Sequence, residues 1–94
     1  MADSGVAWER GAPVTPRSPE HVALGRAIRE LRLAVGISQE GLADRSSLHR
    51  TYIGGIERGE RNLSYANLLR VAAALQVRPS ELLARAEALL EPLE

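Results

Sequence analysis

The stretch Ser38-Gln39-Glu40-Gly41-Leu42-Ala43-Asp44-Arg45-Ser46-Ser47-Leu48-His49-Arg50-Thr51-Tyr52-Ile53-Gly54-Gly55-Ile56-Glu57-Arg58-Gly59 reads as two short helices joined by a tight turn. Ser38 is a capping hydroxyl for the first, which carries Leu42 and Ala43 inward and breaks at Ser46-Ser47. The second runs from about His49 to Arg58, turns Ile53 and Ile56 inward and stops at Gly59. Two helices meeting near a right angle need small or apolar residues where they cross, and Leu42, Ala43, Leu48, Ile53 and Ile56 supply them. With those residues inward, His49, Arg50, Thr51 and Tyr52 project from the helix start, and Gly55 is expected on the same outer face one turn on. An exposed helix start of this kind fits the major groove of DNA, where side chains reach base edges.

Upstream, Ser18-Pro19-Glu20 is a helix start, with a hydroxyl cap, a proline in the first turn and an acid at the positive end of the dipole. Leu24, Ile28, Leu31 and Val35 follow at spacings of four, three and four, one helical face, before Gly36 ends the helix. Downstream, Ser64 caps a helix over roughly 65–76 with Leu68, Ala72 and Leu75 on one face. Pro79 opens a fifth helix, with Glu81 in its first turn. No strand-like alternation and no internal repeat is present, so the fold class is all-α with five short helices. Residues 1–17 hold Pro13, Pro16, Gly5 and Gly11 without periodicity and are expected to form a flexible tail in which Trp8 has no assigned place. Residues 18–94 are then the folded domain.

Composition narrows the function classes. The chain lacks Phe and has one Trp and two Tyr, so the core is built from Leu, Ile, Val and Ala. With no Cys and only His21 and His49 as histidines, disulfides are excluded and no metal site is expected. No Ser-His-Asp order or paired carboxylates suggests an enzyme, and no cofactor is expected. No apolar run approaches the roughly 18 residues of a membrane span, and the first residues do not resemble a signal peptide. A cytoplasmic location, in a bacterial setting, is the expectation. Net charge is zero, yet residues 21–78 hold nine Arg against five acids, whereas residues 79–94 hold one Arg against four Glu. All twelve basic residues are Arg, the side chain that forks onto phosphate or a guanine edge.

On these residues the chain resembles the lambda-repressor/Cro-type helix-turn-helix domains, the xenobiotic-response-element (XRE) family. The matches are Ser38-Gln39, Leu42-Ala43, Ile53, Ile56-Glu57-Arg58-Gly59, Arg61-Asn62, Leu68-Leu69, Ala72, Leu75 and Glu81-Leu82-Leu83. The run from Leu48 to Ile53 and from Gly55 to Gly59 is similar to one subgroup, the controller proteins of restriction–modification systems. The resemblance implies a five-helix lambda-repressor-like domain and a transcriptional regulator of double-stranded DNA. It implies base reading at Arg50, Thr51, Tyr52 and Gly55, phosphate contacts at Ser38, Gln39, Arg61 and Asn62, and a structural ion pair between Arg32 and Glu57. The sequence departs from the family in two places. Ser47 stands at the turn position that is usually Gly, and Gly54-Gly55 each weaken the recognition helix by about 1 kcal/mol relative to Ala.

For individual residues two readings stand side by side. Arg50 either forks onto guanine O6 and N7 or meets a phosphate, and Thr51 touches a thymine methyl or a phosphate. Tyr52 either contacts DNA or covers the helix-two junction, His49 sits at the helix start near phosphate, and Asn62 either meets phosphate or only shapes the loop. Leu82, Leu83, Leu89, Leu90 and Leu93 give the fifth helix more apolar surface than a small monomer needs. A homodimer interface including Leu82, Leu83, Leu89 and Leu90 is therefore expected, the alternative being that these leucines only finish the core. Such a dimer sets two recognition helices about 34 Å apart, matched to an inverted repeat. The rival reading is a protein-interaction module of the same fold, an antitoxin or adaptor.

Overall fold

The computed structural model describes residues 17–90. The expected tail as far as residue 16, with Trp8, and Leu93 near the C-terminus lie outside the described residues. Five helices follow one another: α1 (Pro19–Val35), α2 (Gln39–Ser46), α3 (Arg50–Glu57), α4 (Tyr65–Ala74) and α5 (Pro79–Leu89). There is no strand among the described residues.

The helix ends fall where local chemistry puts them. Ser18, Ser38 and Ser64 each accept a hydrogen bond from the backbone N–H three residues on, at His21, Gly41 and Asn67. Gly36 closes α1 in the left-handed conformation at φ 85°. Ser47 does the same for α2 at φ 61°, a conformation that costs a side-chain-bearing residue about 1–2 kcal/mol. Pro79 stands in the first turn of α5, and the Glu81 carboxylate accepts from the Arg78 N–H at 2.7 Å.

Ile28, Leu42, Ile53, Val71, Leu75 and Leu82 are the large side chains closed to solvent, joined by the small residues Ala27, Ala43, Ala72 and Ala86. α1 packs on α3 and α5, α2 on α3 and α4, and α4 on α5. The inward face of α1 differs from the expected stripe. It is centred on Ala23, Gly25, Ala27, Ile28 and Arg32, while Val35 is exposed. The cause lies at Gly25, where a Cβ would stand 2.3 Å from the Ile56 carbonyl oxygen and 2.7 Å from that of Glu57. α1 thus crosses the C-terminal end of α3 backbone to backbone, and small residues, not large ones, line the crossing.

Two further expectations are corrected. Leu82 is fully buried in the core of its own protomer and is unavailable to a partner; it faces inward with Ala86, one turn away. Arg17, expected in the flexible tail, is tied to the body. Its N–H donates to the Gly59 carbonyl and its guanidinium to Glu60 Oε2 at 3.0 Å.

Candidate nucleic-acid interface

A buried polar cluster fixes the start of α2 and the end of α3 against α1. Arg32 reaches from α1 to Glu57 at the end of α3. Nε donates to Oε2 at 2.7 Å and Nη2 to Oε1 at 3.0 Å, a forked pair with both side chains nearly enclosed. Arg32 Nη1 also donates to the Ile37 carbonyl at 3.0 Å, just ahead of α2. Glu57 Oε1 accepts a further bond from the Gln39 amide at 3.0 Å. One carboxylate therefore ties α1, the start of α2 and the end of α3 together. Among the described residues no buried side-chain N or O lacks a partner.

On this frame the N-terminal residues stand as follows. Ser38 is exposed and its oxygen caps α2 at 2.9 Å from the Gly41 N, leaving its O–H to donate outward. Gln39 is half-buried, with its amide nitrogen donating to Glu57 Oε1 at 3.0 Å. His49 is the cap of α3, its Nδ1 accepting from the Thr51 N–H at 3.1 Å, so in this arrangement Nε2 carries the proton and is a donor. Arg50 and Thr51, the first two residues of α3, are exposed.

Tyr52 and Gly55 are not where the sequence expectation puts them. Tyr52 is half-buried and turned along the helix toward the following loop. Its O–H donates to the Asn62 carbonyl at 2.7 Å and accepts from the Asn67 amide at 3.2 Å. A phenol ring lying between α3 and the start of α4 covers apolar surface and still finds partners for its hydroxyl, so it packs there. Gly55 is buried, because the chain folds back over it. The Glu60 N–H donates to the Gly55 carbonyl at 2.8 Å, and a Cβ at Gly55 would stand 2.5 Å from Arg61 Cγ.

The loop after α3 carries Arg61, exposed, with its guanidinium carbon 5.5 Å from the Tyr52 ring centroid. That cation–π contact is worth about 0.5–1 kcal/mol at an exposed site and orients the guanidinium. Asn62, expected at phosphate, is exposed but its Oδ1 is hydrogen-bonded by His21 Nε2, and His21 Nδ1 meets Ser18 Oγ at 2.9 Å. The Asn62 side chain shapes the loop and links it to the start of α1.

Three residues that were not sequence expectations bear on this surface. Gly25 sets how closely α1 approaches α3, and Arg58 and Glu60 form an exposed pair at 3.0 Å beyond the end of α3. A glycine among alanines (Ala23-Gly25-Ala27) and an arginine four residues after Gly54 were the signals available for them. The described residues hold no group of three or more His, Cys, Asp or Glu able to bind a metal, and no helix among them is long and apolar enough to cross a membrane.

What this surface suits is a polyanion with readable edges: donors at two helix starts, an exposed arginine at the start of α3 and another on the flanking loop. Comparison with known proteins points the same way. The family described as Helix-turn-helix matches residues 28–82. Control protein C.BamHI of Bacillus amyloliquefaciens is 48% identical over 60 residues, 63% of this chain and 74% of that protein. The crystal structure of the restriction–modification controller protein C.AhdI from Aeromonas hydrophila superposes with a TM-score of 0.68 at 51% identity, over 69% of this chain and 98% of that one. C.Esp1396I, solved bound to a 19 base pair DNA duplex, gives a TM-score of 0.73 at 34% identity, over 79% of this chain and 99% of that one.

Proposed function

This chain belongs to the helix-turn-helix family of the lambda-repressor/Cro (XRE) type, and from that membership we propose that it is a sequence-specific DNA-binding regulator of the restriction–modification controller kind, bound as a homodimer to an inverted-repeat operator. The observation that carries this reading is the exposed Arg50-Thr51 pair at the start of a helix whose far end is locked by the Arg32–Glu57–Gln39 cluster. Rigid support at one end and a free start at the other is what insertion into a major groove needs.

In the bound state the start of α3 enters the groove. Arg50 forks onto O6 and N7 of a guanine, and Thr51 meets a thymine methyl or the adjacent phosphate. Ser38, Gln39 and the N–H groups opening α2 meet the sugar–phosphate strand on one side, joined by His49 Nε2–H. Arg61, stacked on Tyr52, meets phosphate on the other side. Tyr52 acts through Arg61 and the loop, and Gly55 reads no base, since both are turned into the protein. The reading requires no cofactor and no catalytic step.

The dimer in this reading uses Leu83, which is 48% exposed, together with Leu90. They line an apolar groove between α1 and α5 with Ala23, Leu24 and Ala84. Leu89 is half-buried beside it.

Selection of bound duplexes from a random pool tests the whole reading. The expected result is one consensus with two-fold symmetry and half-sites about one helical turn apart, roughly 34 Å. An enriched pool without symmetry, or a sedimenting monomer at tens of micromolar with and without DNA, removes the dimer. No enrichment at low salt removes DNA reading altogether.

A further inference from the structure

Arg58 closes α3 and is exposed, and its side chain does not simply extend into solvent. It folds back along the helix, so that Nη1 stands 3.2 Å from where a Cβ of Gly54 would be. Gln39 Oε1, at the start of α2, is 3.7 Å from that same point. The absence of a side chain at Gly54 thus leaves room for the guanidinium from the helix end to lie over α3, close to the side chain that opens α2.

The charges around Arg58 leave it cationic toward the outside. Its Nε donates to Glu60 Oε1 at 3.0 Å, and the other oxygen of the same carboxylate is taken by Arg17 at 3.0 Å. Two guanidinium groups share one carboxylate, so the trio keeps a net positive charge. Because the bond to Glu60 uses Nε, the two terminal nitrogens of Arg58 retain donors. With side chains 58% and 39% exposed, the Arg58–Glu60 pair adds little to folding, and fold stability does not account for the arrangement. Glu60 instead fixes the direction in which the guanidinium lies.

We propose that Arg58 is a DNA-backbone contact, held by Glu60 and admitted by Gly54 to the phosphate strand that runs past Ser38 and Gln39. The proposal rests on the DNA-binding reading above and adds a phosphate ligand that the sequence expectations do not include. A contact of this type is blind to sequence, since it meets phosphate and not a base edge.

Fluorescence anisotropy on two duplexes of equal length, the selected operator and a scrambled sequence, tests it over a range of KCl concentrations. Arg58→Ala is expected to weaken both duplexes by about the same factor, roughly tenfold for a lost charge-assisted bond. It should also flatten the slope of log K against log salt by about one for each protomer on the DNA. Arg58→Lys, which keeps the charge, is expected to return most of that slope and covers the case in which the alanine variant folds poorly. A thermal melt of each variant separates loss of fold from loss of contact. If Arg58→Ala binds both duplexes like the unmodified protein with the same slope, the proposal fails while DNA binding stands. If only the operator is weakened, Arg58 reads a base and the proposal is again wrong. If the unmodified protein binds neither duplex at low salt, the DNA-binding reading fails and the proposal goes with it.

Discussion

Substituting Ala at Gly25 and at Gly54 separates helix propensity from helix packing, because both glycines lie inside helices and packing opposes propensity only at Gly25. On propensity alone each Gly→Ala change stabilises by about 1 kcal/mol. At Gly25 the new Cβ would lie 2.3 Å from the Ile56 oxygen, 2.7 Å from the Glu57 oxygen and 2.9 Å from the Glu57 carbonyl carbon, where real Cβ atoms essentially never come closer than 3.0 Å. All three are backbone atoms and cannot rotate aside, so α1 and α3 must separate. Overpacking of this kind costs about 1–3 kcal/mol, and rigid backbone on both sides argues for the upper end. After the propensity gain, a net loss of about 2 kcal/mol remains, which lowers Tm by roughly 8–16 °C for a domain of this size. At Gly54 the nearest atoms are the tips of Arg58 and Gln39, which give way, so Gly54→Ala should raise Tm by up to about 8 °C. Calorimetric melts at one protein concentration decide the matter, since dimerisation would otherwise shift Tm by mass action. A Gly25→Ala protein melting at or above the unmodified one would refute the close crossing of α1 and α3 and the account of the recognition surface built on it.

Other expectations follow from the same geometry. Glu57→Ala leaves Arg32 buried without its counter-charge and should cost about 3–5 kcal/mol in urea unfolding; a loss under about 1 kcal/mol would mean that the pair is open to water. Ser47→Gly relieves the left-handed backbone at φ 61° and should stabilise by roughly 0.5–1 kcal/mol, read as a higher Tm. Arg50→Ala should cost about 1–3 kcal/mol on the selected operator and much less on scrambled DNA; equal losses on both would make Arg50 a phosphate ligand.

The parts of the fold legible in the sequence are those fixed within one helical turn. Ser18, Ser38 and Ser64 each had to find an N–H three residues away, and Gly36 had to supply a positive φ, so their roles need no knowledge of the rest of the chain. Gly55 and Tyr52 went otherwise because the loop over residues 59–63 returns across α3, a contact that no helical period encodes. The leucines of α5 are an intermediate case. Leu82, Ala86 and Leu89 are spaced four and three apart and form the buried or half-buried side, while exposed Leu83 lines the groove, joined there by half-buried Leu90 just past the helix end. That division is readable from spacing once the adjacent Leu82 and Leu83 are assigned to different faces of the helix.

The recognition helix itself explains why its support lies so far from its reading end. Eight residues with two internal glycines form no stable helix alone, since nucleation is costly and each glycine adds about 1 kcal/mol. Its geometry must be imposed by neighbours. α1 does this at two points seven residues apart, on one face: Gly25 lies against the last carbonyls of α3, and Arg32 grips the Glu57 carboxylate at the same end. Both grips fall on the C-terminal turn, and Glu57 passes the constraint to Gln39 at the start of α2. The first turn of α3, with Arg50 and Thr51, is therefore the part of the helix that remains exposed, as the proposed reading requires. Loosening either grip should then lower affinity for operator and scrambled DNA together, because it misplaces the whole surface, while changes at Arg50 alter the preference between them.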